Sequence, residues 1–412
     1  MVGDGWARMP LGEFVTLQRG HDLPDEQRRP GNVPILGSFG ITGWHDEAKA
    51  SGPGVTIGRS GASFGVASYS PVDFWPLNTA LYVIDFHGND ERFAYYFLKC
   101  FDFQGYNSGS AQPSLNRNYI HPVLVDVPPP SEQRAIARIL GALDDKIELN
   151  RRMNETLQAM ARALFKSWFV DFDPVHANAE GRITGLPKQM ADLFPGRFKD
   201  SEMGEIPEQW TVGTILEQAE LLSGGTPKTD REDYWDGGVP WASAGDVSQC
   251  DQTFLVSTER TVTEKGLKES ATQLIPAFST VVVARGATTG RMVLFGRAMA
   301  MNQTCYALTS KIKTPFALHC HLRQMINDLV HAAHGSVFNT ITTSTFNSGH
   351  FVLPPGRVLV EFEKCVSPFF SRILANSTES QALTALRDTL LPKLISGELR
   401  VKDAERQLEA TA

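Results

Sequence analysis

The sequence predicts an α+β chain: two pseudo-symmetric globular domains separated by two long helices that pair as an antiparallel coiled coil. Three observations carry that expectation. First, Ile136, Leu140, Leu143, Ile147, Asn150, Asn154, Leu157, Ala161 and Leu164 alternate at spacings of four and three, the seam spacing of a coiled coil. Second, Phe362, Val366, Phe369, Ile373, Asn376, Ser380, Leu383, Arg387, Leu390 and Leu394 repeat it near the other end. Third, the seams are copies: Asn376 lies 226 positions after Asn150, and the same offset takes Leu157 to Leu383 and Leu164 to Leu390. Polar seam residues weaken a coiled coil but hold its register, so the two helices are expected to pair around these asparagines.

In chain order, residues 1–130 form the first globular domain. Short β-branched and aromatic runs such as Val33 to Leu36, Gly54 to Ile57 and Ala80 to Ile84 read as strands between Gly- and Pro-rich loops. Phe93 to Phe101 is the expected helix there. The first spacer helix, 131–169, starts cleanly: three prolines precede Ser131, a suitable N-cap, and Glu132 complements the helix dipole. Such a helix spans roughly 55 Å and needs a long partner to cover its apolar stripe.

Residues 170–206, punctuated by Pro174, Pro187 and Pro195, read as an extended linker with one short helix near Lys188 to Leu193. The second globular domain, 207–356, echoes the first. Val239-Pro240 matches Val33-Pro34, Asn302-Gln303-Thr304 matches Asn78-Thr79-Ala80, and Arg285-Gly286 with Gly290 matches Arg59 with Gly61 and Gly65. An insertion is expected at Asp251 to Gln273. A helix over Ala317 to Ala333 is the expected counterpart of Phe93 to Phe101. The second spacer helix occupies 357–400, and 401–412 read as a tail.

Composition narrows the functional classes. The net charge of −7 argues against a protein that coats itself in nucleic acid, while leaving a local basic patch open. Five scattered cysteines without a CxxC argue against disulfides and structural zinc and fit a reducing, cytoplasmic setting. No apolar run approaches the length of a membrane span, and no export signal opens the chain.

Catalytic motifs are missing. The sequence has no GxxxxGK[ST] loop, no HExxH, no Gly-rich dinucleotide turn, no GxSxG and no Asn-Pro-Pro-Tyr-like tetrapeptide. Asp25, Glu47 and Lys49 have the letters of a metal-dependent nuclease, but Asp25 falls in a polar loop where a metal site needs a strand. A stand-alone nuclease is therefore the alternative reading, and a coiled-coil scaffold without catalysis is another. His319, His321, His331 and His334 with Cys320 lie on one expected helix, where no ligand quartet converges.

Local signals for nucleic-acid contact are better. Arg59 and Arg285 each sit in a Gly-rich turn, where backbone amides approach phosphates and a guanidinium can fork onto a guanine edge. Gln112, Asn116 and Arg117 in the first domain, and Asn339 and Thr342 in the second, add amides, a cation and a hydroxyl suited to base edges. These side chains suit ordinary turns equally well.

The segment PPPSEQRAIARILGALDDKIELNRRMNETLQAMARALFKSWFVDFDPV closely resembles the central conserved region of type I restriction–modification specificity subunits. ADLFPGRF, GEIPEQW, LLSGGTPKT, YWDGGVPWASAGDV and LRDTLLPKLISGEL extend the resemblance over nearly the whole chain. It implies two target-recognition domains, each reading half of a bipartite, asymmetric site in double-stranded DNA, with the paired helices as the ruler between them. It also implies a chain that is not an enzyme and binds no cofactor. Two methyltransferase subunits using S-adenosylmethionine would modify adenine, and restriction/translocase subunits using ATP and Mg2+ would cleave. No membrane association is implied.

Overall fold

The computed structural model describes residues 5–109, 113–332 and 340–411. It divides into two compact units, Met1–Glu148 with Gln381–Ala412, and Leu149–Ser380. Both are α+β, and each contains half of each long helix, Pro130–Phe169 and Gly356–Ile395.

In the first unit a four-stranded sheet runs in the order Thr16–Arg19, Ala80–Asp85, Gly54–Gly58, Ala67–Ser70, with every neighbouring pair antiparallel. A smaller sheet pairs Val33–Gly37 antiparallel with Gly40–His45 and parallel with Trp75–Pro76. Ala7–Pro10 pairs with Leu124–Val127. The helix Glu91–Cys100 begins at Asp90, whose carboxylate accepts from the Phe93 amide at 2.8 Å and satisfies an otherwise unpaired donor. Its buried face, Phe93, Tyr96 and Phe97, shares a core with Ile136, Leu140 and Leu143 of the first long helix and Leu390, Leu391 and Leu394 of the second. Each such buried side chain contributes about 1.5–3 kcal/mol.

The second unit repeats that plan strand for strand. Its main sheet runs Ala219–Ser223, Cys305–Ser310, Thr280–Val283, Met292–Phe295, and its smaller sheet pairs Trp235–Ala242 antiparallel with Arg260–Val262 and parallel with Ala300–Met301. Thr211–Thr214 pairs with His350–Leu353. The extra residues begin earlier than Asp251. Where the first unit has a tight turn between Gly37 and Gly40, the second places the helix Ala244–Gln249 and a short strand, Phe254–Leu255, which adds to the edge of the main sheet beside Met292–Phe295. The helix beyond the sheet is Pro315–Ala332.

Two other expectations are corrected. Residues 170–206 are not an extended linker: beside the short helix expected near Lys188, found at Lys188–Ala191, they hold the helix Asp173–Ala179 and the hairpin Phe198–Ser201/Gly204–Pro207. Prolines suggested an open chain, but Val175, Phe194 and Trp210 are buried against Trp168 and Phe169, and that apolar burial outweighs the turn-forming composition. The expected tail is a helix, Val401–Thr411, with Ala404 fully buried.

Within each unit the long helices run antiparallel. In the second, Asn150 lies against Glu379 and Ser380, while Phe165 and Phe169 lie against Phe362, so partner numbers fall as helix numbers rise. In the first, Asp144 meets Arg387 at 2.7 Å. Asn150, Asn154, Ile373, Asn376, Leu143 and Leu390 are buried, and Ile147, Leu157 and Leu383 are half-buried. Asn150 and Asn376 do meet, Asn150 Nδ2 donating to the Asn376 carbonyl at 3.4 Å, but their side chains take other partners. Asn376 donates to the Asn154 side chain at 2.9 Å, and the mate of that contact is Asn150 with Ser380 at 3.2 Å, the serine standing where a second Asn pair would complete the symmetry. Asn150 Nδ2 also reaches Glu379 at 2.8 Å, while its Oδ1 has no partner, a cost of about 1–3 kcal/mol for a buried acceptor.

Candidate DNA interface

In the first unit the strand Gly54–Gly58 delivers Arg59 into a turn that only glycine can close: Gly61 and Gly65 have φ of 77° and 79°. Arg59 is held on both sides, its amide donating to Thr79 at 2.9 Å and its carbonyl accepting from Leu115 at 2.8 Å. The guanidinium reaches the Asn78 carbonyl at 3.4 Å. Asn116 caps the short helix Arg117–Ile120 by accepting from the Asn118 amide at 3.0 Å, and Arg117 Nη1 donates to the Leu17 carbonyl at 3.2 Å.

Arg59, Asn116 and Arg117 therefore meet in one polar cleft of about 650 Å³, together with Gln18, Arg19 and His21. Asp22, also on its wall, accepts a short hydrogen bond from Asn78. Three guanidiniums beside one carboxylate make a site for an anionic, hydrogen-bonding surface. Gln112 lies outside the described residues. Sequence reasoning missed Arg19 and His21, which come from a strand distant in sequence and carry no motif. It also missed the hairpin Val33–Gly37/Gly40–His45, which presents Phe39, 75% exposed, with Ile41 and Trp44. The run FGITGW was the available signal for it.

The second unit is not a copy at this site. Here Ala284 makes the bonds that Arg59 makes, its amide donating to Thr304 and its carbonyl accepting from Ile341, both at 2.8 Å. Gly286 and Gly290, with φ of 102° and 89°, match Gly61 and Gly65. Arg285 consequently stands in the place of Ser60: each forms an isolated bridge, Ser60 with Ser114 and Arg285 with Thr340. Successive residues of extended chain project to opposite sides, so Arg285 is not the counterpart of Arg59; the shift is already written in the letters, Arg59-Ser60-Gly61 against Arg285-Gly286. Arg285 is exposed, Thr342 closes a capping box over Thr343–Ser348, and Asn339 lies outside the described residues. Further basic side chains here sit over aromatics, the guanidinium carbon of Arg260 3.5 Å from the Trp235 ring centroid and that of Arg231 4.6 Å from the Tyr234 ring centroid.

The nuclease letters do not converge. Asp25 pairs with Arg28 at 2.9 Å in an exposed turn, and Glu47 pairs with Lys49 and Arg29. Among the described residues no three His, Cys, Asp or Glu are placed to hold a metal, and no helix is long and apolar enough to cross a membrane. His319 Nδ1 faces the Thr280 hydroxyl at 3.2 Å, His321 Nδ1 faces the Ala317 carbonyl at 2.9 Å, and His334 lies outside the described residues. Burial pushes the thiols of Cys305 and Cys320 up to about 12, so neither supplies a thiolate.

Comparison with known proteins agrees with this architecture. The family model "Type I restriction modification DNA specificity domain" matches twice, at residues 3–159 and 207–382. The specificity subunit of the type I restriction enzyme HindI from Haemophilus influenzae is 28% identical over 70% of this chain and 71% of its own length. That of MjaIX from Methanocaldococcus jannaschii is 27% identical over 78% of this chain and 72% of its own. The crystal structure of the S subunit from M. genitalium shares the fold with a TM-score of 0.63 at 16% identity, over 95% of this chain and 96% of that one. The two family matches and the twofold repeat of one scaffold lead to one conclusion: the chain belongs to the type I restriction–modification DNA specificity family.

Proposed function

We propose that this chain is the sequence-reading component of a type I complex in the cytoplasm, in which each globular domain reads one half of a bipartite, asymmetric site in double-stranded DNA. Arg59, Asn116 and Arg117, with Gln112, serve the first half-site. Arg285 and Thr342, with Asn339, serve the second. Spacing between the half-sites follows the length of the paired helices. Two methyltransferase subunits bring S-adenosylmethionine and methylate adenine, and restriction/translocase subunits bring ATP and Mg2+, while this chain binds no cofactor itself. The domain limits are 1–130, 207–356 and the spacer helices 131–169 and 357–400.

The observation that carries this reading is the pairing of one scaffold with two different surfaces. A cleft with three arginines in one unit and, in the other, an arginine moved by one residue with cations over aromatics are two chemistries on one frame. Methylation mapping of genomic DNA from cells with and without the chain tests it. A bipartite methylated motif that vanishes with the chain is expected, and replacing residues 1–127 by those of a relative should change one half-site and leave the other. Magnesium-dependent cleavage by the purified chain, abolished by Lys49→Ala, would instead establish the nuclease.

A further inference from the structure

We propose that the second unit holds a binding site for a small organic carboxylate, in a cavity of about 290 Å³ between residues 158–170 of the first long helix and the helix Pro315–Ala332. The volume is at the lower end for small-molecule pockets. Its origin lies in the repeat. In the first unit the corresponding space is filled by Tyr96, Asp144 and Arg387, whose hydroxyl, carboxylate and guanidinium bond to one another at 2.6 and 2.7 Å. In the second unit Cys320, Phe370 and Ala161 occupy those positions; Phe370 is larger than Asp144, but Cys320 for Tyr96 and Ala161 for Arg387 leave the gap.

The cavity lining holds one buried hydroxyl without a partner and two guanidiniums without a carboxylate among the described residues. Thr253, 4% exposed and contributed by the residues absent from the first unit, has a hydroxyl with no hydrogen-bond partner, which costs about 1–3 kcal/mol when buried. Arg323 is half-buried, and among the described residues its guanidinium meets only His319, Nη2 donating to Nε2 at 3.2 Å. His319 cannot neutralise it. Burial, and then the neighbouring Arg323, hold the imidazole well below its ordinary range, so it is neutral: Nε2 accepts from Arg323 and Nδ1 carries the ring proton toward the Thr280 hydroxyl. Arg162, on the same wall, forms no ion pair among the described residues, and its charge adds to that of Arg323. Two unneutralised guanidiniums and an orphan hydroxyl, set against Ala161, Phe165 and Phe370, match a carboxylate carried on an apolar body. A fork of two N–H groups onto a carboxylate is the strong form of that contact. None of its lining residues is among those proposed to read DNA.

Phenylacetate, with octanoate as the aliphatic probe and phenylacetamide as the neutral isostere, tests this on the full chain by calorimetric titration. At least one carboxylate should bind at millimolar or lower concentration, at least tenfold tighter than the amide. Arg323→Leu should weaken it tenfold or more, Thr253→Val several-fold, and Ala161→Leu should abolish it by filling the space. Circular dichroism melts identify any variant that fails to fold, and Ala161→Leu, an apolar change at a helical position, decides the matter if Arg323→Leu does not fold. Failure of both carboxylates to bind, equal binding of the amide, or binding unchanged in Ala161→Leu would each overturn the proposal.

Discussion

The junction between each globular domain and its long helices is built twice on one backbone plan and filled with opposite chemistry. In the first unit Arg92 grips Asp145 at 2.6 Å, the Tyr96 hydroxyl donates to Asp144 at 2.6 Å, and the Asp90 amide donates to Gln133 at 2.9 Å. In the second, Phe316 stacks on Phe370 with rings 4.5 Å apart, and buried Glu363 accepts from the Phe316 and Ala317 amides at the start of Pro315–Ala332. A repeated scaffold thus conserves where helices cross, not what holds them together. Exposed ion pairs such as Arg92–Asp145 contribute little, about 0–1 kcal/mol, whereas buried aromatic area contributes more. The second junction should therefore be stiffer against salt and more sensitive to truncation.

The largest expected effect tests that directly. Phe370→Ala removes the stack and should cost about 3–5 kcal/mol, read as a lower denaturant midpoint with hydrogen-exchange protection lost first in residues 149–380. Retention of protection there would mean that the ring contact adds nothing to packing.

Acid should separate the units next. Burial holds His321 down to about 4, and its ring packs on Phe165, Phe169 and Phe351. A histidine whose folded pKa is depressed contributes stability that is full above about 6.5 and lost as pH falls through the unfolded and toward the folded value. The second unit should lose on the order of 3 kcal/mol between pH 6.5 and 4. Glu363, pushed up by burial, acts in the opposite sense and recovers part of it. His321→Phe should remove the His321 share of that loss and leave the share of His319, which burial also holds below its ordinary range, measured by urea melts across that range. An unchanged profile would remove His321 from the account.

Asp144→Ala probes the polar junction. It strands the Tyr96 hydroxyl and one side of Arg387, and about 1–3 kcal/mol of loss is expected in the first unit. The second unit's exchange rates should not move.

At the DNA surfaces the difference is finer. Arg59→Ala should weaken binding by about 1–3 kcal/mol in a manner that depends on the first half-site's sequence, as a base-edge contact does. Arg285→Ala, at an exposed position one residue out of register with Arg59, should weaken binding to all sequences alike and lower the salt dependence by about one counterion. Titrations on half-site variants at two salt concentrations distinguish them. Identical behaviour of the two variants would make the one-residue shift inconsequential.

How much was legible in the sequence follows from the range of the interactions. The four-three spacing of Ile136 to Leu164 and its copy at Phe362 to Leu394 sufficed for two long helices, because helical periodicity is local and repeats every turn. The offset of Asn376 from Asn150 likewise sufficed for a duplicated architecture. Tertiary structure alone decided that Asn154 rather than Asn150 faces the Asn376 side chain, since the axial stagger of antiparallel helices depends on packing along their whole length. It showed the backbone pairing with Thr304 and Ile341 by which Ala284 takes the place of Arg59, a shift that the common offset of 225 from Gly61 to Gly286 and from Gly65 to Gly290 already carried in the sequence. It also buried the proline-rich segment after Phe169 under Trp168 and Trp210, and opened a cavity where Ala161 and Cys320 replace larger groups. Those outcomes depend on side chains far apart in the chain meeting in space, and no window of the sequence contains both partners.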